Sequence, residues 1–310
     1  MCPYSQPKSN CQQTNTHRSL DFSQIPQTYM ALYKNTKIIG NGEQTIVLSH
    51  GFGASQIIWD DMVPFLQERY RVVLFDWELS NKNVDSSKYT FEILSEALIS
   101  LLDELEVRKV IYVGHSMAAM FGCIASIQRP DLFIHLVLVG ASPRYLNSDD
   151  YEGGFERADV ELMLSQITLD FHAWAQVVVA LITGIDDPAS IEKLSRSFLA
   201  MRPEVAYSLA SDIFLKDRRE VLKKVETPCT IIATSKDFAV PVSVGQYIQS
   251  KIKGETTLEI IDTEGHCPQM TAPEKFIEVF ERILLSRIII KDTKNITMEV
   301  NGSSVNLMSS

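Results

Sequence analysis

Basic residues are in deficit: 29 Lys plus Arg stand against 39 Asp plus Glu, a formal charge of −10 over 310 residues. A nucleic-acid surface needs a basic stripe, and none runs through the chain. No stretch of ~18 apolar residues occurs, which excludes a helix spanning a bilayer. Cysteine is sparse, and Cys2, Cys11, Cys123, Cys229 and Cys267 form no C-x-x-C pair. Neither a disulfide framework nor a zinc site is indicated, and the reducing interior of a cell is the expected home. The first twenty residues are polar and lack the apolar centre of a secretory signal. Residues 1–24 therefore read as a disordered tail, with an organelle transit peptide as the minority reading because no acid precedes Asp21. Without a secretory signal, the sequons at Asn295 and Asn301 read as chance matches. What is plentiful is apolar side chain, 45% of the residues against 22% charged, enough for a substantial core.

Short β-branched runs alternate with helical patterns. The strand-like runs are Thr45 to Leu48, Arg71 to Phe75, Val110 to Val113, Leu136 to Val139, Thr230 to Ala233 and Leu258 to Ile261. Each is nearly continuous in apolar residues, as strands buried on both faces require, and Thr90 to Leu105 and Met117 to Gln128 have helical length and period. The pattern predicts an α/β domain over 25–286, a mostly parallel sheet with helices on both faces. From Ser142 to Arg219 the alternation stops, and four helical stretches are punctuated by Gly153-Gly154, Gly184 with Asp187-Pro188, and Arg202-Pro203. This insertion, 142–219, follows a strand at the sheet edge where C-terminal loops gather, the place for a lid over a ligand crevice. Residues 287–310, with Ile288, Ile289 and Ile290 and then a Ser, Asn and Thr rich end, read as a flexible C-terminal extension.

The sharpest local signal is Val110-Ile111-Tyr112-Val113-Gly114-His115-Ser116-Met117-Ala118-Ala119, a buried strand running through Gly-x-Ser into a helix. Such a nucleophile elbow exposes the serine Oγ above the sheet, beside the free N–H groups of the helix start. The fifth motif position is Ala118 instead of Gly, still a small side chain. Six histidines are available as the base. His17 lies in the tail, His172 in the insertion, His135 at a strand entrance, His50 at the head of a Gly loop, and strand alternation points His115 away from its neighbour Ser116. His266 remains, in the turn after the last strand, and Asp237 occupies the loop after the strand before it. The order Ser116, Asp237, His266 is that of α/β-hydrolases. Asp262 and Glu264 are rival acids, too near His266 in sequence to arrive from a neighbouring strand. The loop His50-Gly51-Phe52-Gly53 leaves the first central strand, and the backbone amides of Phe52 and Met117 are the expected oxyanion-hole donors, each worth ~3 kcal/mol of transition-state stabilisation. No metal and no organic cofactor is required by such acyl transfer.

Beyond the elbow, the markers are Ser49-His50-Gly51-Phe52-Gly53, Phe75-Asp76-Trp77, the run Ala141-Ser142-Pro143-Arg144-Tyr145-Leu146-Asn147 with Gly153-Gly154-Phe155-Glu156, Met201-Arg202-Pro203, Lys236-Asp237 and Glu264-Gly265-His266. Over Asn35 to Leu285 the chain resembles the plant α/β-hydrolases that serve as strigolactone and karrikin receptors. Met117 and the opening Asn35 to Gly42 most resemble their receptor-like paralogues. The resemblance implies a small apolar lactone or ester ligand of the butenolide type, cleaved slowly, with transfer of a lactone-derived fragment to His266. It also implies cytoplasmic and nuclear location, and a receptor role in which a ligand-altered lid recruits an F-box protein and a repressor target. Three departures bear on this. Glu78-Leu79-Ser80-Asn81-Lys82-Asn83 lacks the family's Gly-Ser-Gly, so one pocket rim is expected to be rearranged. Trp174 and Phe214 match aromatic pocket positions, whereas Val178 and Leu194 are aliphatic where aromatics are common, which predicts a wider pocket. The tails have no counterpart. Phe155, Trp174, Val178, Leu194 and Phe214 are the pocket-lining candidates, and Cys267 beside the histidine reads first as a small packing residue, with an accessible thiol as the minority reading.

Overall fold

The computed structural model describes residues 27–185 and 187–285. The predicted tails 1–24 and 287–310, with their sequons, lie outside the described residues. Seven strands form one sheet: β1 (Tyr33–Ile39), β2 (Thr45–Ser49), β3 (Arg71–Trp77), β4 (Val110–His115), β5 (Phe133–Val139), β6 (Cys229–Lys236) and β7 (Thr256–Glu264), in the order β1-β3-β2-β4-β5-β6-β7. All neighbours pair in parallel except β1, which runs antiparallel to β3. Six strands fall where apolar runs stand. β1 is not among them, because its Tyr-Lys-Asn-Thr-Lys-Ile-Ile is a half-exposed edge and needs no apolar run. Along β2 and β4 every consecutive residue is buried. Since successive side chains point to opposite faces, both faces of the central sheet are covered.

The helix Met117–Gln128 lies close behind β4 because the residues it turns toward that strand, Ala118, Ala119 and Gly122, are small. A Cβ on Gly114 would sit 2.6 Å from the Ala118 carbonyl oxygen, and Tyr112 Oη donates to that same oxygen at 2.9 Å. Phe121 on this helix meets Phe91 edge-on at 4.8 Å, locking it to the helix Phe91–Glu104.

Between β5 and β6 lie four long helices, Arg157–Leu169, Phe171–Thr183, Pro188–Leu199 and Pro203–Leu215, followed by the short helix Arg219–Leu222. Their boundaries follow local chemistry. Asp170 and Asp187 cap the second and third by accepting the amides of Ala173 and Ala189, Gly184 ends the second with φ 71°, and Pro188 and Pro203 open the third and fourth. The first packs on the fourth and the second on the third. The base of this insertion is fixed by Arg218. Its amide donates to Pro143 O at 2.8 Å, its guanidinium pairs with buried Asp212, and it stacks 3.8 Å over the Phe91 ring. Both ends of the insertion and the core helix thus meet at one buried cation.

Candidate active site

Ser116 sits between β4 and its helix at φ 56°, ψ −123°, a conformation a non-glycine residue adopts only when its surroundings impose it. Here its amide is tied to Val139 O at 2.7 Å across the sheet, and its carbonyl accepts the Ala119 amide at 3.0 Å. The turn lifts the hydroxyl into a cavity under the four helices, where His266 also emerges. The Met117 amide opens the helix and so has no intrahelical acceptor.

Asp237 follows β6. One carboxylate oxygen accepts the amides of Ala239 (2.7 Å) and Val240 (3.2 Å), and the other lies 2.7 Å from His266 Nδ1. Both side chains are shielded, with 2% and 6% exposure. A carboxylate can only accept, so Nδ1 carries the proton and Nε2 is left as the basic nitrogen. The rival acids lie outside: Asp262 is exposed and accepts from Ser235 Oγ, and Glu264 pairs with Lys236 in solvent.

The loop after β2 is braced from behind. His50 Nε2 accepts the Trp77 amide at 2.9 Å, so Nδ1 holds the proton and donates to Gly51 O, also at 2.9 Å. Burial holds this ring below the ordinary histidine range and keeps it neutral. Trp77 Nε1 donates to Ser49 Oγ at 3.2 Å, so the Phe75-Asp76-Trp77 marker works as the support of this loop. Phe52 lies above, edge-on to Phe198 at 5.8 Å and 6.2 Å from Trp174.

Trp174, Val178, Leu194 and Phe214 line the cavity together with Ser116, His266 and Phe52. Phe155 does not. Its segment pairs with Leu146, its ring packs on Phe214 at 5.5 Å and Phe238 at 5.8 Å, and it faces an outer cleft beside the cavity. The cavity measures about 60 Å³, room for a handful of waters at roughly 10–15 Å³ each. Val178 and Leu194 form an aliphatic wall, and fully buried Phe198 fills the space between Phe52 and Trp174. Trp174 Nε1 is buried among these apolar walls without a hydrogen-bond partner among the described residues.

Among the cavity residues that escape a reading of the sequence are two large aromatics, Tyr145 and Phe198. Tyr145 is buried against Ser116; burial raises its phenol pKa and the hydrogen bond with Ser116 lowers it in part. Its only signal in the sequence is its place in Ser142-Pro143-Arg144-Tyr145. Phe198 has none, since an aromatic at helical spacing reads as core. His115 is not turned away from the site as a whole: its ring lies 4.9 Å from that of His266, and its Nε2 is 2.8 Å from His266 O. Burial, with His266 adding to the effect, lowers its pKa to about 3. Cys267 lines the cavity but is fully buried, and burial pushes its thiol up, in keeping with a small packing residue and not with an accessible thiol. The rim 78–84 is tied down: Glu78 pairs with Lys34 at 2.8 Å, and Arg202 donates to the carbonyls of Asn81 and Val84.

This strand-elbow-helix geometry, with its acid and histidine on the last two sheet loops, places the chain in the alpha/beta hydrolase family, whose model matches residues 46–279. Within it the chain belongs with the strigolactone and karrikin receptor group. It is 44% identical over 254 residues to the Karrikin insensitive 2 receptor CA of Petunia hybrida, covering 80% of this chain and 94% of the relative. Strigolactone esterase D14 of Arabidopsis thaliana is 38% identical over 255 residues, 81% and 96% of the two chains. Among solved structures, a hydrolase from Oleispira antarctica superposes with a TM-score of 0.78 at 31% identity, covering 81% of this chain and 94% of that one.

Proposed function

We propose that the protein is a serine hydrolase that binds and opens a butenolide-type lactone or a small apolar ester, with Ser116, His266 and Asp237 as its triad. The observation that carries this is His266 Nδ1 held on Asp237 at 2.7 Å beside an elbow serine in the same cavity. Ser116 Oγ gives its proton to His266 Nε2 and attacks the ligand carbonyl carbon. The resulting oxyanion accepts hydrogen bonds from the backbone amides of Phe52 and Met117. Collapse expels the leaving oxygen, which receives the proton from His266, and water activated by the same nitrogen releases the acyl group. Asp237 keeps the imidazole in the productive tautomer and stabilises it when charged.

The apolar walls and small volume favour the reacting ring of a ligand over a large polar substrate. Relatives named karrikin receptors and strigolactone esterases favour a second role in the same site: a receptor whose ligand-altered helices recruit an F-box protein and a repressor target. Karrikin-type relatives at 43–44% identity, against 37–38% for strigolactone esterases, favour the karrikin side for that role. Cytoplasmic and nuclear location belongs to this reading, as does a hydrolase domain over 25–286 whose insertion 142–219 is the lid; among the described residues no helix is long and apolar enough to cross a membrane.

The direct test is turnover of p-nitrophenyl acetate by the purified protein and by Ser116→Ala. Loss of a nucleophile commonly removes ~10⁶ in rate. A variant within tenfold of wild type, at equal melting temperature, would assign the chemistry elsewhere.

A further inference from the structure

The backbone of His266 is held from two sides. Its carbonyl rests on His115 Nε2 at 2.8 Å, inside the core. Its amide donates to Ile182 O at 2.7 Å, and Ile182 belongs to the last turn of the second lid helix. The contact is made at backbone distance, which only glycine allows. A Cβ on Gly265, at φ 90°, would stand 2.0 Å from Thr183 O, and one on Gly184, at φ 71°, would stand 2.6 Å from Gly265 Cα. Gly265 is itself fixed to the sheet, its amide on Lys236 O at 2.9 Å and its carbonyl accepting Thr234 Oγ1 at 2.8 Å. On the other side of the contact, the same helix presents Trp174, Val178 and Ile182 to the cavity.

From this we infer that the C-terminal turn of the second lid helix, Ile182 to Gly184, is a positioning element for His266, so that lid position and hydrolytic competence are coupled. A carbonyl at the end of a helix carries partial negative charge, which strengthens its hold on the His266 amide. A ligand larger than the present cavity must displace the helix that bears Trp174 and Val178, and the pull reaches His266 through one hydrogen bond and two glycines. Ligands that leave the helix in place are turned over. Ligands that shift it are retained with the histidine out of line, so a hydrolase and a ligand-dependent receptor are two positions of one element. The inference rests on the proposed triad for its consequence, but not for the contact itself.

Two measurements test it on the full chain. In native-state hydrogen exchange under graded urea, the His266 amide is expected to open together with the amides of Phe171–Thr183. Opening together with the β6 amides instead overturns the coupling. In the second, Gly184→Ala and Gly265→Ala are assayed with p-nitrophenyl acetate. Because a misplacement of ~1 Å can cost ~10² in rate, kcat is expected to fall about 100-fold with KM within threefold. Leu169→Ser, on an exposed side chain at the end of the first lid helix, serves as the control and keeps wild-type values. A wild-type kcat in both folded glycine variants overturns the inference. Should either variant fail to fold, the exchange measurement on wild type decides alone. If wild type shows no ester turnover, the proposed function fails, and the exchange result still reports whether lid and histidine move as one.

Discussion

Replacing Asp237 with asparagine changes one atom and no shape, and the hydrogen bonds around it dictate how the site responds. The oxygen facing Ala239 and Val240 receives two backbone N–H groups. In Asp237→Asn that position must remain an oxygen, because an amide nitrogen there would face two donors. The NH₂ is therefore forced toward His266 Nδ1, where it donates. His266 then keeps Nδ1 unprotonated and carries its hydrogen on Nε2, the nitrogen that has to accept the proton of Ser116. The wrong tautomer is locked in by the two amides on the far side, and turnover is expected to drop ~10⁴-fold, about 5.5 kcal/mol at 1.36 kcal/mol per decade. Ligand affinity should hardly change, since the Asp237 side chain stands behind His266 and does not line the cavity. Steady-state kinetics with p-nitrophenyl acetate, alongside a melting curve, gives both quantities. Asp262→Asn, on the exposed rival acid, should stay within threefold of wild type. Were Asp262→Asn the more damaging change, or Asp237→Asn within tenfold of wild type, the acid would be misassigned.

The same geometry sets two further outcomes. His115 is buried with its pKa lowered to about 3, so between pH 6.5 and 3 the unfolded chain binds a proton that the folded chain refuses. This contribution to stability is present above the unfolded pKa of ~6.5 and lost as pH falls, by about 2 kcal/mol between pH 7 and pH 5. Urea denaturation at both pH values should show that slope, flattened in His115→Gln; an equal slope in the variant would place the acid sensitivity elsewhere. Phe198→Ala removes the ring between Phe52 and Trp174, so it should cost ~3–5 kcal/mol and admit longer acyl chains. An unchanged ratio of p-nitrophenyl butyrate to acetate turnover would show that Phe198 does not limit the cavity.

Strand positions and the elbow are legible in the sequence because each leaves a local mark. A strand buried on both faces must be a short apolar run, and a serine between Gly114 and two alanines must be a tight strand-to-helix turn. β1 escapes because an edge strand obeys no such rule, with its polar Lys34, Asn35 and Lys37 facing solvent or the rim. His266 and Asp237 are reachable by elimination, since histidines are few and each stands after a strand. Tyr145 is visible only as part of a longer pattern, and Phe198 not at all, because nothing local separates a helix residue facing a cavity from one facing the core. Phe155 shows the converse: an aromatic after Gly153-Gly154 looks available to a pocket until Phe214 is seen to stand in front of it.

The sequence by itself determined the class of fold, the chain order of the proposed nucleophile, acid and base, and the place of the helical insertion, because these are set by neighbours in the chain and by the period of burial. Only the tertiary structure decided the tautomers of His50 and His266, the width of the cavity, the burial of Cys267 and the contact between Ile182 and His266. Each of those depends on groups brought together across the fold. A proton goes where the partner's lone pair is, a cavity is what several helices leave unfilled, and a backbone contact between residues 182 and 266 exists only where the helical insertion packs over the sheet.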